Sequence, residues 1–205
     1  MNNNNKVELV GEIVSGFEFS HELRGEKFYK ATIAVKRLSG NVDLLKLLAA
    51  EYVADKNKDI CGTIVKVMGT FRSHNYIDED KNKLLLNVHV DDIEKVEICD
   101  DNSTKNEILL NGYLCKAPVY RKTPLGREIA ELFIAVNRPY GKADYIPCIA
   151  WGRQAEQIEK APAGTHVKLT GRIQSREYIK VLNETESETR IAYEVSVRTI
   201  KCINE

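Results

Sequence analysis

The residues between Tyr140 and Trp151 form the part of this sequence that is best suited to hold a ligand. A flexible basic turn leads into a stretch that is typical of a β-strand. Alternate side chains of a strand point the same way, and four of them share one face: Tyr145, Pro147, Ile149 and Trp151. Exposed rings beside cationic side chains can hold unpaired nucleobases, because every base has a face for stacking. The alternative is that Trp151, the only tryptophan, is simply part of the core, since aromatic residues dominate core burial.

Length and composition indicate a soluble globular protein. The chain has 205 residues, of which 43% are apolar and 29% are charged, and it has room for one large domain or two domains of about 100 residues. No apolar run approaches the roughly 20 residues that a membrane span needs. The first residues lack the basic and apolar parts of a signal peptide. We therefore expect a cytoplasmic protein that does not contact a membrane.

The charge is balanced overall but divided unevenly. Residues 1–106 carry 15 Lys and Arg against 18 Asp and Glu, whereas residues 107–205 carry 15 against 12. A polyanion would therefore prefer the second half. The excess of three positive charges is far below the basic stripe of a protein that binds duplex DNA.

The sequence gives no sign of an enzyme, a metal site or a cofactor. It lacks a phosphate-binding Gly-rich loop with Lys, a His-Glu-x-x-His motif and a nucleophile elbow. The five cysteines form no Cys-x-x-Cys pair, so we expect reduced thiols. The four histidines are scattered, and Ser20-His21-Glu22 is expected to be a solvated loop, because a metal or triad site needs further partners.

The chain repeats itself once, at a spacing of 101 residues that later becomes 102. The matches include Gly11 with Gly112, Gly25 with Gly126, Arg37 with Arg138, Asp43 with Asp144, Gly69 with Gly171, Ser73 with Ser175, and Tyr76 with Tyr178. Two copies of one unit are not a solenoid, which needs at least three shorter repeats. We predict a first domain at residues 1–98, a linker at 99–106 and a second domain at 107–205.

Each unit is predicted to form five strands, with one short helix between the third and the fourth, which is the order of the OB-fold. The first unit is expected to have strands from Val7 and at 27–38, 41–50, 63–73 and 84–90, a turn at 17–26, a helix at 51–58 and a hairpin tip at 78–82. The second is expected to have strands at 108–114, 127–137, 144–151, 165–178 and 191–200, a loop at 116–126, a turn at 139–142, a helix at 153–160 and a hairpin tip at 183–189. Gly11 and Gly112 allow the bend that curls a sheet. The expected fold class is all-β with short helices: two tandem five-stranded OB-fold barrels.

The second half carries a set of short motifs that resembles one family. They are Leu110-Asn111-Gly112, Thr123-Pro124-Leu125-Gly126, Phe133-Ile134-Ala135-Val136-Asn137-Arg138, Pro147-Cys148-Ile149-Ala150-Trp151-Gly152 and Gly171-Arg172-Ile173-Gln174-Ser175-Arg176-Glu177-Tyr178. This set resembles the bacterial single-stranded DNA-binding proteins over nearly all of residues 107–200. The first half is similar to a diverged copy, most clearly from Gly69 to Tyr76.

The resemblance implies a protein that binds single-stranded DNA without strong sequence preference and supports replication, recombination or repair. The rings at the family's stacking positions are Tyr140, Tyr145, Trp151 and Tyr178. The expected phosphate contacts or stacking cations are Arg121, Arg138, Arg153, Arg172 and Arg176. The expected contributors from the first half are Tyr76, Arg72, Lys36 and Arg37. For each arginine the alternative is an ordinary solvated surface charge.

The first half keeps only one of the four ring positions, as Tyr76. The other three hold Ser39, Leu44 and Ala50. We therefore expect the first domain to be chiefly a scaffold or assembly surface with weak strand contact. The resemblance also implies four OB units per assembly, and hence a homodimer of this chain. Family members commonly have a flexible tail with an acidic tip that recruits replication and repair proteins; the sequence as given shows none, so recruitment through such a tail is not expected.

Two other functions stay open on the sequence alone. In a tandem OB adaptor of a primosome or recombination complex, the rings would be buried against a partner protein. In an RNA-binding OB protein, they would stack on unpaired RNA bases. An enzyme is the least expected class.

Overall fold

The computed structural model describes residues 4–57, 59–78, 81–97, 104–181 and 187–203. The elements of the first half are β1 (Asn5–Leu23), β2 (Glu26–Lys36), β3 (Val42–Ala50), α1 (Glu51–Lys56), β4 (Ile64–Asp78) and β5 (Lys81–Lys95). Those of the second half are β6 (Lys105–Leu114), β7 (Val119–Lys122), β8 (Glu128–Asn137), a 3₁₀ turn (Pro139–Gly141), β9 (Ala143–Trp151), α2 (Arg153–Ile158), β10 (His166–Val181) and β11 (Ser187–Cys202). Within the described ranges, no helix has the length and apolar character needed to cross a membrane.

The first barrel closes through β1, β2, β3, β5 and β4, and β4 returns to β1. Four of these contacts are antiparallel, whereas β3 and β5 run parallel. Alternate residues of β1 point inward, so Val7, Leu9 and Ile13 are fully buried. Because α1 lies between the third and fourth strands, this is the order of the OB-fold, and the predicted fold class is confirmed.

The second barrel closes in the same way through β6, β8, β9, β11 and β10. It has one additional strand, β7, which pairs with β8 from Val119↔Glu131 to Lys122↔Glu128. The prediction of a loop over residues 116–126 is therefore wrong at 119–122. Prolines and a glycine flank this four-residue strand, and its pairing with β8 overrides that local turn signal.

Four matching glycines lie where strands of the barrels cross most closely. A Cβ atom on Gly11 would lie 2.3 Å from the carbonyl oxygen of Ala34, and one on Gly112 would lie 2.3 Å from that of Ala135. Cβ atoms added to Gly69 of β4 and Gly171 of β10 would meet backbone carbonyl oxygens just as closely, at 2.1 and 2.3 Å. No side chain fits at such distances, so these glycines permit close approach of two backbones.

The two barrels are joined by an antiparallel pairing of β1 with β6 over six residue pairs. In the sequence repeat, Asn5 corresponds to Asn106 and Leu9 corresponds to Leu110. The two observed pairs Asn5↔Leu110 and Leu9↔Asn106 are therefore equivalent. The junction has local two-fold symmetry, so one chain reproduces the kind of self-complementary contact that a symmetric dimer makes.

A buried aspartate from each barrel binds the long hairpin of the other barrel. Asp43 of β3 accepts a hydrogen bond from the backbone N–H of Ser175 at 2.8 Å. Asp144 of β9 accepts one from the backbone N–H of Ser73, also at 2.8 Å. The two carboxylates are 0% and 1% exposed. These reciprocal contacts fix the hairpin β10–β11 across the first barrel and the hairpin β4–β5 across the second.

The hairpins are longer than the sequence predicts. The turn expected at 17–26 is wrong, because β1 continues to Leu23 and pairs with β2 as far as Glu26. Only Arg24 and Gly25 form the turn, both with positive φ. Of the expected hairpin tips at 78–82 and 183–189, residues 79–80 and 183–186 lie outside the described residues, and the remaining positions belong to strands. Most of the expected linker also lies outside them, and residues 105–106 begin β6.

Candidate nucleic-acid interface

The outer face of β9 presents the rings on which the sequence prediction depends. Trp151 is 39% exposed and Tyr145 is 41% exposed. On the neighbouring strand, Phe133 lies opposite Pro147, and its ring stacks on Tyr145 with a centroid separation of 6.1 Å. Trp151 is therefore not a purely buried core residue, and two strands together build one aromatic surface.

An open groove of 480 Å³ lies on this face of the second barrel. Its apolar lining consists of Ile129, Leu132, Phe133, Pro147, Cys148, Ile149 and Trp151. Its charged lining consists of Lys116, Arg121, Arg176, Glu131 and Glu194. Ile149, expected on the same face as the rings, is only 8% exposed and contributes to the floor of the groove. The arrangement offers flat apolar surfaces for bases and nearby cations for phosphates.

Two arginines of the groove are paired with carboxylates at its surface. Nη2 of Arg121 lies 2.7 Å from Oε1 of Glu131, and Nε of Arg176 lies 3.9 Å from Oε1 of Glu194. More than half of each arginine side chain is exposed, and exposed ion pairs contribute only about 0–1 kcal/mol. A phosphate can therefore replace Glu131 at small cost, whereas Glu194 is only 15% exposed and also accepts a hydrogen bond from Gln174. The two glutamates also reduce the positive potential of the groove, which favours ligands that bind through stacking as well as charge.

Two other predicted arginines contact the buried aspartates of the junction. Arg37 donates from Nε to Oδ2 of Asp43 at 2.7 Å, and this hydrogen bond raises the pKa of Arg37. Nε of Arg138 lies 3.3 Å from Oδ2 of Asp144, but its N–H is not aligned for a hydrogen bond, so the contact is ionic. Only 22% and 21% of the two arginine side chains are exposed. Their contacts with phosphate stay a prediction, while their contacts in the structure hold the barrels together.

The remaining predicted rings lie at turns and on the long hairpins. Tyr140 is 99% exposed in the 3₁₀ turn before β9, where it has a positive φ. Tyr178 of β10 is 37% exposed and Tyr76 of β4 is 44% exposed. These three rings do not line the groove that holds Trp151. A strand that contacts all of them must extend beyond that groove.

The remaining predicted cations are distributed over both barrels. Arg153 is the first residue of α2, immediately beyond the Trp151 end of β9, and is exposed. Arg172 of β10 is also exposed as a whole. Partial desolvation of its guanidinium is the main cause that lowers its pKa, followed by the charge of Arg37. Arg72 is half-buried on β4, and Lys36 is exposed at the end of β2. Of the predicted arginines, the structure therefore brings only Arg121 and Arg176 into the groove.

Sequence reasoning missed two residues of the groove and one cluster outside it. Phe133 and Lys116 line the groove, and the alternation of Phe133 with Ile129 along β8 is the signal that could have found the ring. The four histidines are scattered in the sequence, but the fold brings three of them together. His21 and His89 flank the ring of Phe28, and His74 lies next to His89, because strand pairing brings together residues that are distant in sequence.

Comparison with known proteins agrees with this geometry. Residues 105–202 match the single-strand binding protein family. The second half of this chain is therefore similar to that family.

Two curated relatives match part of this chain. Single-stranded DNA-binding protein 1 of Lactococcus lactis is 38% identical over 80 residues, which are 36% of this chain and 53% of that protein. Single-stranded DNA-binding protein A of Bacillus subtilis is also 38% identical over 80 residues, which are 46% of its length. The chain thus spans about half the length of the curated relatives that it matches.

A solved structure matches both barrels of this chain. The wild-type single-stranded DNA-binding protein of Thermus aquaticus superimposes with a TM-score of 0.78 over 98% of this chain and 93% of that one. The two sequences are 18% identical. At that identity the likeness establishes the fold, a tandem arrangement of OB barrels, and the binding chemistry must be argued from this chain's own residues.

Proposed function

We propose that this protein binds single-stranded DNA without strong sequence preference and that unpaired bases stack in the groove of the second barrel. The groove carries the proposal, because it places the rings of Trp151 and Phe133 beside Arg121 and Arg176. The names of the matching family and of the curated relatives, which describe single-strand binding proteins, support it. The role is that of a binding protein rather than an enzyme, and it needs no cofactor.

Stacking and charge contribute in different ways to the proposed binding. Each base that stacks on an aromatic side chain contributes about 1–3 kcal/mol. Neutralisation of phosphates adds a term that weakens as salt increases. Bases in a duplex are already stacked and paired, so the groove selects single strands. The proposal assigns no hydrogen-bond partner to the 2′-hydroxyl of RNA, so competition between poly(dT) and poly(U) measures the preference for DNA directly.

The replacement of Trp151 by alanine tests the stacking groove. Trp151→Ala should weaken binding of a fluorescently labelled dT oligomer at least about tenfold, because one stacked base is lost. The matched control is Tyr52→Ala, which removes a ring that is 60% exposed on α1, away from the groove. Fluorescence anisotropy gives both affinities, and circular dichroism checks both folds. Unchanged affinity in a folded Trp151→Ala protein would exclude stacking at this residue.

We further propose that two chains associate, so that four OB barrels form one assembly. The local two-fold junction of β1 with β6 supports the idea that this barrel associates with copies of itself. Light scattering should give a mass of about 46 kDa, twice the 23.2 kDa of the chain. A mass of one chain at micromolar concentration would contradict the homodimer and leave the binding groove unaffected.

The cellular role that follows is the protection of unpaired DNA in the cytoplasm during replication, recombination or repair. Partner proteins of those processes would bind surfaces other than the groove, since bases occupy it. If the labelled oligomer does not bind, and a replication or recombination protein instead binds over the same rings, the protein is an adaptor.

A further inference from the structure

Four rings form a continuous series across the outer face of the first barrel. The rings of His21 and Phe28 stack with a centroid separation of 5.1 Å and an angle of 12° between their planes. His89 lies 5.9 Å from Phe28, and His74 lies 6.2 Å from His89. We name these four residues the histidine ladder. It contains three of the four histidines of the chain and crosses from β1 and β2 to β5 and β4.

The strand register explains why the ladder forms. His21 pairs with Phe28 between β1 and β2, and Phe28 pairs with Ala50 of β3. β3 then runs parallel to β5, with His89 opposite Leu48. Because Ala50 is small, the rings of Phe28 and His89 can approach each other beside it. In the second barrel this position is Trp151, so the same place on the sheet holds a large ring in one barrel and a small side chain in the other.

The ladder does not occupy the ring positions that the repeat predicts. Counted forward by the spacing of the repeat, Phe28 corresponds to Ile129 and His74 corresponds to Arg176. The strand register places His89 at the position of Ser196, since Leu48↔His89 matches Ile149↔Ser196. The first barrel thus presents aromatic surface from a different set of positions, and a search for the second barrel's ring positions in the first half cannot detect it.

Cationic side chains from both barrels surround the ladder. Arg72 of β4 and Arg138 of the second barrel both act electrostatically on His74 and His89. Asp144 of the second barrel acts on His74 with the opposite sign, and its carboxylate is already paired with Arg138. The acids of this region include Asp91 of β5, on which Arg72 acts, and Glu22 of β1, next to His21. A polyanion that approaches the ladder would meet the permanent charges of Arg72 and Arg138.

Burial and charge keep the central histidines neutral in the free protein. Burial is the largest cause that lowers the pKa of His89, to about 3, and the charges of Arg72 and Arg138 add to it. Partial desolvation also lowers the pKa of the more exposed His74, followed by the charge of Arg138. A bound phosphate would offset the electrostatic part, because a nearby negative charge favours the protonated imidazolium. His89 therefore stacks as a neutral ring, whereas His74 gains a positive charge beside a phosphate.

The ladder ends at the junction with the second barrel. Ser73, next to His74 in β4, accepts a hydrogen bond from the backbone N–H of Tyr145 at 2.7 Å. Tyr145 in turn stacks on Phe133, which lines the groove. One hydrogen bond between the barrels thus links the strand that carries His74 to the strand that carries Tyr145.

We propose that the histidine ladder, with Arg72 and Arg138, is a second binding site for single-stranded nucleic acid and that it takes up protons when it binds. This inference rests on the proposed function, since it extends the path of the same strand from the second barrel onto the first. Proton uptake on binding means that affinity increases as pH falls. The protein would hold single strands more tightly under mildly acidic conditions than under alkaline ones.

The test compares the pH dependence of binding in the wild-type protein and in a double variant, His74→Gln with His89→Gln. A dT oligomer of about 30 nucleotides spans both barrels, since one OB barrel covers about 4–16 nucleotides. An average uptake of half a proton between about pH 7 and pH 6 gives the wild type a gain of about threefold in affinity. The double variant should lose this gain. His166→Gln, which changes the histidine outside the ladder, should keep it.

The single variant His74→Gln keeps the test decisive if the double variant does not fold, because His74 is exposed. Calorimetry in two buffers of different ionisation enthalpy should show proton uptake by the wild type and less uptake by His74→Gln. Equal pH dependence and equal uptake in wild type and variant would overturn the ladder proposal while binding through Trp151 persists. Failure of the wild type to bind the oligomer at either pH would overturn the proposed function as well.

Discussion

The two barrels share one scaffold and differ in the face that they present to solvent. Each barrel has a glycine pressed against a carbonyl at matching positions and a buried aspartate that binds the opposite hairpin. On the outer face, the second barrel has Trp151 where the first has Ala50. The first barrel places its rings elsewhere, in a histidine ladder that adjoins Ala50 through Phe28.

This difference between the barrels shows which positions the fold constrains. Closure of the barrel leaves no room for a Cβ atom at Gly11 or Gly112, and an unpaired carboxylate in the junction would be costly, so both copies carry the same residues there. The outer face contributes little to closure. It can therefore carry tryptophan and arginine in one copy and phenylalanine and histidine in the other, and we propose that the two copies bind strands with different dependence on pH.

The largest effect on the shared scaffold is expected from Asp43→Ala. The change leaves the guanidinium of Arg37 and the backbone N–H of Ser175 without their carboxylate. Loss of one member of a buried charge pair costs about 3–5 kcal/mol. Urea unfolding should show this decrease in the free energy of unfolding.

The matched variant Asp144→Ala is expected to cost less, because Arg138 makes no aligned hydrogen bond to Asp144. Equal costs for the two variants would show that the junction is symmetric in energy as well as in sequence. A cost below about 1 kcal/mol for Asp43→Ala would contradict its role in joining the barrels.

A smaller loss of stability is expected from Gly11→Ala. The new Cβ atom would meet the carbonyl oxygen of Ala34 at 2.3 Å, and forced overpacking typically costs about 1–3 kcal/mol. A Cβ atom added at Gly16 of the same strand would meet no other atom within 4 Å, so Gly16→Ala should change stability by less than about 0.5 kcal/mol. Thermal unfolding of both variants separates the steric clash at Gly11 from the general effect of replacing glycine by alanine in a strand. Similar melting temperatures for the two variants would refute the steric explanation.

A modest effect on binding is expected from the arginines of the groove. If the strand neutralises about four phosphates on the second barrel, the slope of log affinity against log salt is near −3 for single strands. Arg121→Ala should make that slope less steep by about 0.7, the share of one phosphate. Lys56→Ala, at the end of α1 of the first barrel, is the control. An unchanged slope would leave Arg121 as a solvated surface charge paired with Glu131.

The smallest effect we expect is on the pH dependence of stability in the absence of nucleic acid. The folded-state pKa of His89 is lowered to about 3, whereas an unfolded histidine titrates near 6.5. As pH falls below about 6.5 the unfolded chain binds the proton first, so stability decreases towards acid. His89→Leu should reduce the difference in urea midpoint between about pH 7 and pH 5. An unchanged difference in urea midpoint would show that the sensitivity to acid arises from residues other than His89.

The sequence predicted the scaffold well because the repeat and the alternation of apolar residues follow directly from barrel closure. It missed β7, where Pro118 and Pro124 suggest a loop although β8 supplies a partner strand. The sequence prediction also ended β1 too early, because Ser20, His21 and Glu22 are polar and lie on an exposed hairpin. Local composition cannot reveal such pairings, which depend on a strand that is distant in sequence.

The candidate site was only partly predictable. Tyr145 and Trp151 follow from alternation along one strand, whereas Phe133 requires the register of β8 against β9. The ladder requires the parallel pairing of β3 with β5, which no spacing of histidines encodes. For Arg37, the sequence could not distinguish a phosphate contact from the ion pair with a buried aspartate that the structure contains.

The emission of Trp151 tests the central claim most directly, because it is the only tryptophan of the chain and it lines the groove. Titration of the wild-type protein with a dT oligomer should quench this emission in a saturable manner, as a base stacks on the indole ring. A duplex of the same length should quench it far less. Saturable binding of the oligomer with unchanged tryptophan emission would contradict the account, because the strand would then occupy a surface other than the groove.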